Sequence, residues 1–148
     1  MKMKLALILV VTAIMTGCSA VEQIDRSVNY AGEAATYVEE AGEFARRLPD
    51  MAQEAMTDPE LKEKLVSELE AMKTRAADFN ALEAPEIAAK VHTKLQEYNA
   101  ALQKEIDQVL SGLLEDIPAV QAVRESGMVQ TLTGLTEMME QISRLGGS

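Results

Sequence analysis

Residues 21–48 read VEQIDRSVNYAGEAATYVEEAGEFARRL. In this stretch Val21, Ile24, Val28, Ala31, Ala35, Val38, Gly42 and Ala45 recur at steps of three and four, the seam of a packed helix. Glu22, Asp25, Glu33, Glu39, Glu40 and Glu43 fall on the other side, as expected of a solvated helix face. Arg46 and Arg47 are placed to close the helix against the negative end of its dipole. Pro49 then stops the helix or kinks it into a short turn over residues 50–56.

Working outward, the same period repeats in three more segments. Thr57-Asp58-Pro59-Glu60 reads as a cap, with an acceptor at Thr57 or Asp58 and Glu60 placed for a capping box. A second helix follows with Leu61, Leu65, Leu69, Met72, Ala76 and Phe79 on one stripe. After a break at residues 80–84, Pro85 suits the first turn of a third helix. That helix carries Ile87, Val91, Leu95, Tyr98, Leu102, Ile106, Val109 and Leu113. Glu115-Asp116-Ile117-Pro118 breaks the chain again. A last stretch from Ala119 carries Val120, Val123, Met128, Leu132, Leu135, Met139, Ile142 and Leu145, with Ser126-Gly127 able to split it and Gly146-Gly147-Ser148 a frayed end. No period-two run is long enough for a strand, so the fold expected is all-α: an elongated antiparallel bundle of about four helices.

Composition narrows the function. The chain has 148 residues, a formal charge of −10, 47% hydrophobic but only 3% aromatic residues, no Trp and one Cys. Nucleic acid is an unfavourable partner for so acidic a chain, because phosphate binding draws on Lys and Arg. A single Cys excludes a disulfide scaffold and a Cys-rich metal site.

The N-terminus carries the strongest signal. Lys2 and Lys4 precede an apolar run from Leu5 to Val11 that continues through Ala13, Ile14 and Met15. A run of about 11 residues is too short to span a bilayer, which takes about 20, but it fits the hydrophobic region of a signal peptide. It ends in Met15-Thr16-Gly17-Cys18, with the chain's one Cys. This resembles the lipobox of bacterial lipoprotein precursors, with Met15 where that motif usually has Leu. The resemblance implies removal of residues 1–17 by a cut between Gly17 and Cys18, a diacylglyceryl group on the Cys18 sulfur, further N-acylation of its amine (palmitate-type chains), and a mature domain of residues 18–148. The product would be held on the extracytoplasmic face of the cell membrane by its lipid. Ser19 after the Cys would permit passage to the outer membrane in a Gram-negative source.

Candidate chemistry is sparse. Tyr30, Tyr37 and Phe44, spaced at seven, form a second stripe about 120° round the first helix from the apolar seam. The expectation is a contact with a second neighbouring helix, with the tyrosine hydroxyls reaching solvent; the sharper alternative is a partly open aromatic groove for a small ligand, lipid or peptide, or for a partner. His92, the one His, lacks the Glu-x-x-His spacing of a bundle metal site, since Ala89 stands three residues before it. It is expected to be structural, bonding to a loop group such as Asn80 or Glu83. Glu39/Glu40/Glu43 and Glu68/Glu70 lack the spacing of a calcium loop and have basic residues at helical distance, Glu43 with Arg47 and Glu60 with Lys64. No catalytic residue, metal site or cofactor is indicated.

Several further stretches resemble an uncharacterised family of small lipoproteins from Gram-positive, Bacillus-type bacteria. They are Ser27-Val28-Asn29-Tyr30 with Glu33-Ala34-Ala35-Thr36-Tyr37, Ala41 to Pro49, and Phe79-Asn80-Ala81-Leu82-Glu83-Ala84-Pro85 leading to His92 and Tyr98-Asn99. The resemblance covers most of residues 18–115 and implies location and fold, with no assigned activity. The expected function is therefore a non-catalytic binding or interaction module of the cell envelope, with the membrane and an envelope protein as its partners.

Overall fold

The computed structural model describes residues 18–146. The signal peptide expected over residues 1–17, and Gly147-Ser148 of the frayed end, lie outside the described residues. Among these residues there are six α-helices, one 3-10 turn and no strand. They are α1 (Cys18–Glu54), α2 (Pro59–Asn80), the 3-10 turn (Glu86–Ala88), α3 (Ala89–Leu114), α4 (Ala119–Ser126), α5 (Met128–Glu137) and α6 (Met139–Leu145).

Cross-helix pairs fix the topology. Arg47 meets Glu68 and Arg75 meets Glu40, so residue numbers rise on α1 as they fall on α2. Lys73 with Asp107 and Asn80 with Asn99 give the same antiparallel register between α2 and α3. Glu105 with Thr131 sets α5 antiparallel to α3. The close approach of Gly42 to Thr136 sets α5 antiparallel to α1. The result is the expected four-layered antiparallel bundle, in which the fourth strut is built from α4, α5 and α6 in succession.

Four sequence expectations need correction. The first helix does not close at Arg46 and Arg47 but runs through Pro49 to Glu54, 37 residues in all and about 55 Å at 1.5 Å per residue. Pro49 lacks an N–H for the Ala45 carbonyl, but it lies on the exposed side of α1, where a lost helix bond costs less than in the core. The stripe of the third helix starts at Ala88, fully buried, and not at Ile87, 69% exposed. The 3-10 turn after Pro85, closed by Ala88 N–H to the Pro85 carbonyl at 2.8 Å, rotates the register at the entry. The expected pair Glu43–Arg47 is replaced by Arg46 with Glu43 and Arg47 with Glu68, and the expected Glu60–Lys64 ion pair does not form. Finally, Val21 and Ile24 are exposed, because α1 outruns its neighbours at the N-terminal end.

Local signals explain the breaks. Asp58, in extended backbone, accepts the Glu60 N–H at 2.8 Å with Pro59 at the first helical position, a cap that rests on Glu60's backbone. Asp116 takes a left-handed φ of 59° and lets the Ile117 N–H return to the Gly112 carbonyl at 2.9 Å, closing α3. Gly127 takes φ 80° at the joint of α4 and α5, which splits the last segment where Ser126-Gly127 allows it.

The core is aliphatic and alanine-rich, with Leu48, Leu65, Leu69, Leu95, Leu102, Ile106, Leu132 and Leu135 inaccessible to solvent. Gly134 brings α5 against α3: a Cβ there would stand 2.5 Å from Cε1 of Tyr98. Gly32 has open space around it. In denaturant unfolding, Gly134→Ala should lose about 1–3 kcal/mol by overpacking, whereas Gly32→Ala should gain about 0.5–1 kcal/mol from helix propensity.

Candidate functional site

The chain's unusual side chains gather in one buried layer. Tyr30 and Tyr37 lie two turns apart on α1, and His92 and Asn99 lie two turns apart on α3. These two helices are diagonal and parallel, so the matched spacing of seven lets each tyrosine meet its partner across the bundle. The Tyr30 hydroxyl is 3.0 Å from His92 Nδ1, and the Tyr37 hydroxyl donates to Asn99 Oδ1. Asn99 Nδ2 in turn donates to Asn80 Oδ1 at 2.8 Å and toward the Ala76 carbonyl at 3.4 Å, which ties in the end of α2. Phe79 fills the centre, stacked on Tyr37 at 4.7 Å and 16°, and 5.3 Å from the His92 ring.

All of these groups are buried. Tyr30 is 3% exposed, Tyr37 4%, Phe44 3%, His92 8% and Asn99 0%. Burial pushes the Tyr30 phenol up to about 12 and the Tyr37 phenol higher still, so both keep their protons. Burial also lowers the His92 pKa, holding the imidazole neutral; with its proton on Nε2, it accepts from Tyr30 at Nδ1.

Two expectations change here. The tyrosine hydroxyls do not reach solvent: they are spent on the diagonal helix. His92 does not bond to Asn80 or Glu83; Tyr30 takes it, and Asn80 is taken by Asn99. The signal was present in the sequence as a shared interval, Tyr30/Tyr37 against His92/Asn99, but it shows only when the two helices are laid parallel. Tyr30, Tyr37 and Phe44 are packed into the interior and form no open aromatic groove. Only a depression of about 360 Å³ reaches the edge of Tyr37, beside Phe79, Leu82 and Arg75.

The layer contains no Ser, Cys or carboxylate, and its Tyr30–His92 pair is buried in the interior. Among the described residues no three His, Cys, Asp or Glu side chains come together as ligands for a metal ion. Glu105 is a group that sequence reasoning passed over. Its Oε1 accepts from Thr131 Oγ1 at 2.9 Å, while its Oε2 is buried without a partner. Burial raises its pKa, against the Thr131 hydrogen bond and the charge of Lys104.

Two surface features remain. At the C-terminal end of α1, a groove of about 660 Å³ opens between Pro49, Ala52, Val120, Val123, Arg124 and Val129. At the N-terminal end, Cys18 already belongs to α1, and residues 21–26 are exposed on all sides. No helix among the described residues is long and apolar enough to cross a membrane.

These features define a small acidic helical domain whose long first helix includes the chain's one cysteine and whose core holds a hydrogen-bonded polar layer. The chain belongs to a family of unknown function, DUF6376, whose pattern matches residues 30–145. It is 40% identical over 130 residues, 88% of each chain, to an uncharacterized lipoprotein, YybP, of Bacillus subtilis strain 168. The expected likeness to small lipoproteins of Bacillus-type bacteria thus holds. No solved structure matches this chain.

The layer yields a pH test. His92 has a lower pKa folded than unfolded, so the unfolded chain binds the proton first. Its contribution to stability is full above the unfolded value of about 6.5 and is lost as pH falls toward the folded value. Urea midpoints should therefore drop between about pH 7.5 and pH 5.5. His92→Gln, which offers Tyr30 a neutral partner, should flatten that slope; an unchanged slope would assign it elsewhere. Glu105 acts with the opposite sign, adding stability above its unfolded pKa only as pH falls, and the double substitution with Glu105→Gln separates the two.

Proposed function

We propose that this chain is a lipid-anchored extracytoplasmic lipoprotein acting as a non-catalytic interaction module of the cell envelope. The observation that carries the reading is the junction at Cys18. A short apolar leader ends in Met15-Thr16-Gly17-Cys18, and the cysteine already belongs to the first helix, in a chain 40% identical to a lipoprotein. Cleavage before Cys18 would free its amine, and the sulfur would carry a diacylglyceryl group. Each buried CH₂ contributes about 0.8 kcal/mol, so one chain holds marginally and two hold stably. The sulfur is then an attachment point and is lost to redox or catalytic use.

The absence of a linker supports a domain held close to the lipid. The leader takes two lysines and no acidic residue with it, leaving 131 residues with 12 basic and 24 acidic side chains, a net −12. Metabolic labelling with a fatty acid should mark the wild-type chain and leave Cys18→Ala unlabelled, with the leader uncut; equal label on both would refute the anchor.

A carrier of lipid or peptide is the second reading, and the groove beside the C-terminal half of α1 favours it. Its volume lies within the range of about 300–1,000 Å³ typical of ligand sites, and its wall pairs Ala52, Val120 and Val129 with Arg124. Lipid extracts of the purified chain analysed by mass spectrometry should then contain a species that Val129→Asp removes. Retention of the same species by Val129→Asp would place the ligand elsewhere.

A further inference from the structure

The first turns of α1 present an apolar face that nothing in the bundle covers. Val21 is 59% exposed, Ile24 62% and Val28 47%. At 100° per residue the three fall within about 60° of one another. They lie about 120–180° round the helix from Tyr30, which points into the core. Ala31, about 20° round α1 from Ile24, is buried, so the bundle covers this side of the helix from Ala31 upward and leaves the stripe clear below it. Glu22, Arg26 and Asn29 occupy the polar side of these turns and Asp25 borders the stripe. The packed part of the domain ends just above: Gly146, past the end of α6, stands against Ala31.

We propose that Val21, Ile24 and Val28 form a membrane-contact stripe that rests in the boundary between headgroups and acyl chains of the leaflet holding Cys18. The proposal rests on the lipid anchor at Cys18 and goes beyond it by assigning an orientation.

Three observations select the bilayer as occupant. Helix α1 includes Cys18, so no loop separates it from the stripe, which begins three residues from the attachment point. Ile24 is about 9 Å and Val28 about 15 Å along the helix from Cys18, so neither can move far from the surface. Tethering makes the contact intramolecular, and a small apolar face then suffices where it would be too weak for a free chain. The charge distribution agrees: residues 18–31 hold Glu22, Asp25 and Arg26 alone, a net −1, and the remaining acidity lies further up. Upright, the helix would leave all three side chains in water. Tilted toward the leaflet, it buries them.

The chain has no Trp, so one introduced indole is a unique reporter. Full-length chain carrying Ile24→Trp, Val21→Trp or Arg26→Trp would be purified acylated from membranes. Each would be reconstituted into vesicles of phosphatidylethanolamine and phosphatidylglycerol, with and without brominated acyl chains. A face buried about 5–10 Å into the interface predicts strong bromine quenching of the Ile24→Trp and Val21→Trp proteins. It also predicts acrylamide quenching about threefold weaker for them than for Arg26→Trp. Equal acrylamide quenching at all three positions without bromine quenching, on a protein of diacylglyceryl mass, overturns the stripe and leaves the anchor standing. Protection of Ile24→Trp from acrylamide without bromine quenching means that protein covers the face, which also overturns it. An intact mass without acyl groups overturns the anchor itself.

Discussion

The bundle depends on two hydrogen-bonded rungs that cross its diagonal, Tyr30 to His92 and Tyr37 to Asn99. An aliphatic core fixes little beyond proximity, since leucines on neighbouring helices pack nearly as well one turn out of step. A buried phenol has no such latitude. Shifting α3 by a turn would strand two hydroxyls, an imidazole and an amide in a dry interior, at about 1–3 kcal/mol for each unsatisfied group. The rungs thus select one register for the diagonal pair. Through Asn99 to Asn80 and the stack on Phe79, they also select where α2 must end. The chain holds five aromatic residues in all, and four of them belong to the interior around this layer.

That dependence explains what sequence could and could not disclose. The second and third helices were legible in detail, because Leu65, Leu69, Met72, Ala76 and Phe79, and Leu95, Leu102, Ile106 and Val109, form single narrow stripes that all turn out buried. The breaks were legible because Pro, Gly and Asp mark them by backbone chemistry. The first helix was harder. It carries apolar residues over a broad arc, and periodicity gives angles between residues without saying which arc meets a neighbour. Val38 and Ala31 of the aliphatic seam are buried, Val21 and Ile24 are not, and the aromatic stripe is a second inner face turned to another neighbour. Helix length decided this, and α1 runs beyond its partners at one end and through a proline at the other. The polar rungs were illegible for a similar reason: each half is a seven-residue interval in its own helix, and only the parallel diagonal placement makes the two intervals one feature. As for the candidate site, Cys18 was legible as a motif, while the groove at Val120 and Val129 depends on the bend at Gly127 and has no linear signature.

Outside the core the charges work differently. Pairs such as Arg75 with Glu40 and Lys73 with Asp107 bridge neighbouring helices but stand about half exposed. Exposed pairs contribute about 0–1 kcal/mol each and weaken with salt. They trim repulsion in an acidic surface more than they hold it together. With 14 basic side chains against 24 acidic ones, many carboxylates remain without a basic neighbour, and the surface as a whole stays negative.

That excess bears on how an anchored domain would sit. Beside an anionic leaflet the acidic body is repelled, but only within a Debye length of about 8 Å at physiological salt. Two acyl chains hold against such a force easily, so repulsion cannot detach the domain; it can only turn it. The turning has a defined axis, because α1 includes the attachment point and no flexible segment intervenes to absorb the torque. A freely jointed tether would let the domain tumble away from the surface and would leave any apolar patch near the anchor in water. A rigid helix couples the two ends of the molecule: seating Val21, Ile24 and Val28 in the leaflet fixes the direction in which the acidic bundle leans, and repulsion of that bundle by an anionic surface limits how far the helix can tilt.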